Sequence, residues 1–203
     1  VEFDQDAHGN LALGREGGHT AKRIIHYKDV TGLQIEKSLL LQVSALPNIT
    51  LLPHHFSIDL ITEHHFKHKI SQPEPGISCY CAYVMDQRTC KIEKYVSKVT
   101  LLATGGSGQV YRTTTNPLIA TGDGVAMAYR AMAGVKDMEF IQFHPTAFFA
   151  QDDNPSFLIT EAIRGHGAYL RTKDGERFMF RYDDRGELAS RDIVAKAIDN
   201  ELI

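Results

Sequence analysis

No sign of charge dominates this chain: 22 Lys and Arg stand against 25 Asp and Glu, a formal net charge of −3 over 203 residues. Without a basic stripe it lacks the electrostatic footprint that neutralises phosphates, which argues against a nucleic-acid partner. No apolar run approaches the roughly 18–20 residues that a membrane-spanning helix needs. The opening Val1-Glu2-Phe3-Asp4-Gln5-Asp6 carries neither a cationic head nor an apolar signal segment. Cysteine is scarce. Cys79, Cys81 and Cys90 are odd in number and have no framework spacing, which suits a reducing cytoplasm. Metal-ligand spacing is missing too. His54, His55, His64, His65 and His68 lie beside or within a polar loop with no cysteine or carboxylate at zinc spacing, so they read as solvated. A soluble cytoplasmic protein is expected, with no metal.

The apolar content of 43% is enough for a core. Residue 1 is not Met, and Ile203 follows the amphipathic stretch 192–198 with no stop signal, so the chain reads as an internal piece of something longer. The stretch 35–46 repeats apolar positions at helical spacing and halts before Pro47. Residues 49–53, 56–61, 79–85, 90–96 and 97–103 read as strands, with a hairpin turn at 86–88 and a polar loop over 63–78. Cys79 and Cys81 alternate on one face of their strand. Residues 121–133 predict a small-residue helix with Gly134 as its C-cap, and 135–140 a further strand. Helix, strands and glycine-rich exits together predict an α/β fold, with a domain boundary near 142.

Two groups of residues could carry chemistry. The strand 97–103 runs into Thr104-Gly105-Gly106-Ser107-Gly108, the way α/β folds present backbone N–H groups to a phosphate or a ring, although glycine also serves ordinary strand exits. In the last third, His144, Thr160, Arg164 and Arg191 supply the cations and donors that a dicarboxylate needs at each end once both carboxylates lose water. Each has a plainer reading. His144 before Pro145 suits a structural histidine, Thr160 a helix cap, and Arg191 a surface pair with Asp192.

Six strings occur in order and decide between these readings: ALGREGGHTAKRIIHYKDVTG (12–32), LLATGGSGQVY (101–111), TTNPLIATGDGVAMAYRAMAG (114–134), FIQFHPTAF (140–148), LITEAIRGHGAYL (158–170), and GERFM with GELASRDIVAKAI (175–179, 186–198). Together they resemble the succinate dehydrogenase, fumarate reductase and L-aspartate oxidase flavoprotein family over nearly the whole chain. The resemblance implies part of a Rossmann-like FAD-binding domain over 1–141, leading into the start of an α+β substrate-capping domain over 142–203. FAD is the implied cofactor. Thr104, Gly105 and Gly106 match a cofactor-contacting turn, and Asp123 matches a cofactor-contacting aspartate. His144 and Thr160 match residues holding the substrate carboxylate, and Arg191 matches the arginine that exchanges a proton with the substrate carbon. An isolated guanidinium stays protonated above pH 12, so that role requires coupling to other groups.

Within the family, Arg15-Glu16-Gly17-Gly18-His19 resembles the L-aspartate oxidase branch. A carboxylate at Glu16 suits a substrate ammonium, whereas beside the dianion succinate it would repel. The resemblance thus implies FAD-dependent oxidation of L-aspartate to iminoaspartate, with electrons passed on to oxygen or fumarate. It places the reaction at the start of NAD synthesis, with quinolinate synthase as a functional partner. The family's G-x-G-x-x-G turn, which seats the FAD pyrophosphate, is absent here, and its later half would lie past Ile203. The chain by itself is therefore expected to be inactive and to hold FAD weakly. Two rivals stay open, a piece of a succinate- or fumarate-type subunit and a non-catalytic module that keeps the fold.

Overall fold

The computed structural model describes residues 1–66, 76–150 and 153–202. In chain order the elements begin with β1 (Leu13–Gly14), β2 (Ile24–Ile25), α1 (Thr31–Ser44) and β3 (His55–Thr62). There follow β4 (Cys79–Asp86), β5 (Lys91–Val96), α2 (Asp123–Arg130), α3 (Ala162–Gly165) and α4 (Arg191–Glu201). They fall into two compact units, one of residues 1–50 with 142–203 and one of residues 51–141. The first fifty residues pack with the C-terminal segment.

The 51–141 unit is built on a three-stranded antiparallel sheet in the order β3-β4-β5. Alternating apolar positions and a tight turn at 86–90 explain the β4-β5 hairpin. The Asp86 carboxylate accepts the Arg88 N–H at 2.9 Å and the Thr89 hydroxyl at 2.9 Å, and Cys90 takes the left-handed conformation that closes the turn. Helix α2 is fastened to β3 by Arg130, whose Nε donates to Asp59 at 3.0 Å and whose Nη2 donates to the Ile58 carbonyl at 2.9 Å. Leu60, Ile61, Cys81, Ala120 and Met127 are this unit's buried apolar residues.

The other unit pairs β1 with β2 and carries a core of Phe178, Met179, Ala189, Val194 and Ala197, supported by Leu170, Ile193 and Ile198. The apolar face of α4 closes it, as the period of residues 193–198 predicts. Met179 has no solvent exposure, so Met179→Ala is expected to cost about 2–5 kcal/mol. Urea denaturation of the purified protein checks this through a lower transition midpoint.

Several predicted elements differ. Helix α1 starts at Thr31, four residues early, and ends at Ser44. Residues 49–53 form no strand: Pro53 cannot donate to a ladder, and Leu51 and Leu52 stay exposed. Residues 97–103 form none either, because no described segment offers a partner edge, and Leu101 is 86% exposed. The stretch 135–140 turns instead, with Asp137 at φ +61° and the Phe140 N–H bonded to the Asp137 carbonyl. Helix α2 spans 123–130, not 121–133, and Gly134 is not its cap. Met132 takes the left-handed position, with Ala133 N–H on Ala128 O and Met132 N–H on Tyr129 O, a Schellman closure. The predicted loop 63–78 shows a 3₁₀ turn at Glu63–His65, and its stretch 67–75, with His68, lies outside the described residues. Among the described residues no helix is long and apolar enough to cross a membrane, and no cluster of three or more metal-ligating side chains occurs.

Candidate functional site

Glu161 organises the site in the 1–50 and 142–203 unit. It stands at the N-cap of α3, only 4% exposed, where an acidic side chain is favoured by the helix terminus. Its Oε2 accepts Nε of Arg191 at 2.8 Å, and its Oε1 accepts Nη2 of Arg164 in a close ion pair. One buried carboxylate therefore bridges two guanidiniums. Arg191 opens α4 and also donates through Nη1 to Oε1 of Gln142 at 3.0 Å, which fixes the plane of its fork. The surface pair with Asp192 does not form; Asp192 takes the Ser190 hydroxyl at 2.6 Å instead. Arg164 is equally buried, and its Nη1 donates to the Glu187 carbonyl at 2.7 Å.

His144 lies within electrostatic reach of this cluster. Burial pushes its imidazole below the ordinary range; the Thr146 backbone and Glu161 pull upward, while Arg191 and Arg164 push further down. Its Nδ1 lies 3.2 Å from the Thr146 N–H and 2.9 Å from the Thr146 carbonyl. The carbonyl contact is the shorter, and the upward pull of the Thr146 backbone corresponds to Nδ1–H donating to it, which leaves Nε2 of the neutral ring as an acceptor and makes it a donor only when the ring is protonated. Thr160 precedes Glu161, and its hydroxyl accepts the Ala162 N–H at 3.3 Å, but the N-cap of α3 is Glu161, so Thr160 is not the helix cap that the sequence suggested. Thr160 and Glu16 line one cavity of about 380 Å³, together with Arg15, His26, Lys28 and His166. His144 lines a different cavity, of about 400 Å³, with residues of α4.

In the 51–141 unit the predicted cofactor residues also come together. Thr104, Gly105 and Gly106 are exposed, and Gly105 has φ +76°. The Gly106 carbonyl accepts the Gly122 N–H at 3.2 Å, so this turn rests on the start of α2. Asp123 is the first residue of α2, and its Oδ1 accepts the Thr121 hydroxyl at 3.0 Å. A methyl group at Gly124 would overlap the Thr104 hydroxyl, so glycine there admits the close approach.

A family model described as FAD binding domain matches residues 1–203. The chain belongs to the FAD binding domain family. Its relatives include L-aspartate oxidase 1 of Ralstonia nicotianae, 50% identical over all of this chain and 37% of the relative. Chloroplastic L-aspartate oxidase 2-b of Nicotiana tabacum is 49% identical over all of this chain and 31% of the relative. Among solved structures, FrdA of E. coli quinol fumarate reductase superposes with a TM-score of 0.83 at 28% identity, over 98% of this chain and 34% of that one. The chain thus spans about a third of the length of these relatives.

The residues present fit FAD, the family's cofactor. A methyl group at Gly105 or Gly106 would meet nothing within 4 Å, so the backbone of this turn is open to close approach. Helix α2 brings free N–H groups and a carboxylate beside it, which suits the phosphates and hydroxyls of a dinucleotide.

Glu161 and Gln142 were not foreseen as site residues. A glutamate one turn before an arginine reads as ordinary helix-start chemistry, and only the fold brings Arg191 onto it from 30 residues away.

Proposed function

We propose that this chain forms the part of a flavin-dependent L-aspartate oxidase that recognises the substrate and moves its proton. The observation carrying the reading is the shared cavity of Glu16 and Thr160, which Arg15, Lys28 and Asp29 also line: carboxylates, a hydroxyl and cations around one space suit a zwitterionic dicarboxylate. FAD, when bound, supplies the acceptor for the hydride that leaves the substrate. Thr104, Gly105, Gly106 and Asp123 would hold it.

The chain's own residues do the rest. Thr160 donates to a substrate carboxylate in the cavity it shares with Glu16, and His144, which lines a separate cavity, offers Nε2–H to a carboxylate when its ring is protonated. Glu16 accepts from the ammonium and orients the Cα–H. With the Cα–H leaving as hydride, Arg191 takes a proton from the adjacent methylene carbon, which gives the enamine that tautomerises to iminoaspartate. Glu161 supplies the coupling that a lone guanidinium lacks, with Arg164 as the second cation on the same carboxylate. The product is iminoaspartate, which water hydrolyses, so a consuming enzyme such as quinolinate synthase is the fitting functional partner. Oxygen or fumarate takes up the electrons. The free thiols of Cys79, Cys81 and Cys90 suit a reducing compartment, the cytoplasm or, as in the plant relatives, the chloroplast.

Glu16→Gln in the full-length protein tests the reading. It is expected to cost about 2 kcal/mol of aspartate binding, a rise in KM of roughly 30-fold, because one charge-assisted contact is lost. Fumarate reduction, which offers no ammonium, should change less than threefold. Succinate oxidation with aspartate inert would favour the respiratory-type subunit instead.

A further inference from the structure

The Glu16 backbone is pressed against the end of α3. A methyl group at Gly165 would overlap the Arg15 carbonyl oxygen and come within 3.2 Å of its carbon and 3.4 Å of the Glu16 Cα. The obstacle is backbone, so a side chain at Gly165 cannot be absorbed by a rotamer change. From the other side, a methyl at Gly17 would lie 3.2 Å from Nη1 of Arg164 and 3.7 Å from the Ala189 carbonyl. One hydrogen bond ties the loop to the segment before α4, a second closes the loop on itself, and a third fixes the Arg164 side chain that lies against Gly17. Gly18 N–H donates to the Leu188 carbonyl at 2.9 Å, Arg15 Nε donates to the His19 carbonyl at 2.9 Å, and Arg164 Nη1 donates to the Glu187 carbonyl at 2.7 Å.

We propose that Gly165 is a specificity-determining positioning residue: its missing side chain lets the Arg15–Glu16 backbone seat on α3 and sets where the Glu16 carboxylate stands. The inference rests on the amine-reading role of Glu16. The loop carrying that carboxylate and the helix carrying Glu161 and Arg164 are packed backbone to backbone, so amine recognition and proton handling share one support. A shift of about 1 Å at such a contact can cost on the order of 10²-fold.

The test compares Gly165→Ala, Glu16→Gln and the double variant in the flavin-loaded full-length protein. Gly165→Ala should raise the aspartate KM at least about tenfold with little change in kcat. The KM for fumarate should change less than threefold. In the Glu16→Gln background the same substitution should add almost nothing to the aspartate KM, because the group it misplaces no longer reads the amine. A purely structural glycine would instead worsen both backgrounds and both substrates alike. Should Gly165→Ala fail to fold, Gly17→Ala, whose nearest contact is 3.2 Å to Arg164 Nη1 instead of a backbone overlap, is expected to raise the aspartate KM about threefold in the same selective way. An unchanged aspartate KM in the folded glycine variant, while Glu16→Gln raises it, overturns the proposal. A Glu16→Gln variant with normal aspartate use overturns the reading beneath it.

Discussion

Glu161→Gln in the full-length protein is expected to lower aspartate turnover by about 10²–10⁴-fold, the usual loss when a proton-transfer group is disabled. The carboxylate is the only described side chain bonded to both Arg191 and Arg164, so glutamine leaves two neighbouring guanidiniums without their common counter-charge. Stability should fall as well. Arg164 is 4% exposed, and breaking a buried pair by removing one partner typically costs about 3–5 kcal/mol. The two effects separate by measuring kcat per mole of bound flavin, alongside urea unfolding. Turnover per flavin within threefold of wild type would remove Glu161 from the proton path, whatever the stability change.

Glu187→Gln should produce a large and purely structural effect. Glu187 is 3% exposed and accepts Arg177 Nε at 2.9 Å, Arg177 Nη2 at 2.5 Å and the Leu170 N–H at 3.1 Å. Burial alone would push its carboxyl up, but the Arg177 hydrogen bonds and backbone N–H groups outweigh it and hold the group below the usual carboxylate range. Arg177 in turn stacks over the rings of Tyr169 and Phe180. Because Arg177 keeps 31% of its side chain in water, the loss belongs at the low end for buried pairs, about 3 kcal/mol at neutral pH. The sign of the pH dependence follows from linkage. A carboxyl depressed in the folded state contributes above its unfolded pKa and loses that contribution as pH falls through the folded value. The stability gap between wild type and Glu187→Gln should therefore be full at pH 6–8 and close as pH drops below about 4. A gap unchanged at pH 3 would contradict an ionised Glu187 in the folded state.

Much of the secondary structure was legible because its causes are local. The β3, β4 and β5 strands follow from alternation and a strong turn, and α1 and α4 from helical period. The failures have separate causes. Residues 97–103 carry the apolar run of a buried strand, but a strand exists only with a partner edge, and Val99 at 82% exposure has none among the described residues. The cap of α2 was missed because backbone hydrogen bonds closed the helix at Met132 without a glycine. For the site, residue chemistry and family resemblance singled out His144, Thr160, Arg191 and Glu16, yet their grouping is tertiary. Arg191 looked set to pair with its neighbour Asp192, and it was the approach of α3 that gave it Glu161.

The most direct test of the central claim is anaerobic mixing of the flavin-loaded full-length protein with L-aspartate or with succinate while the visible flavin absorbance is followed. L-Aspartate should bleach the flavin band, succinate should leave it intact, and fumarate should restore the bleached band. Bleaching by succinate with none by L-aspartate would contradict the assignment.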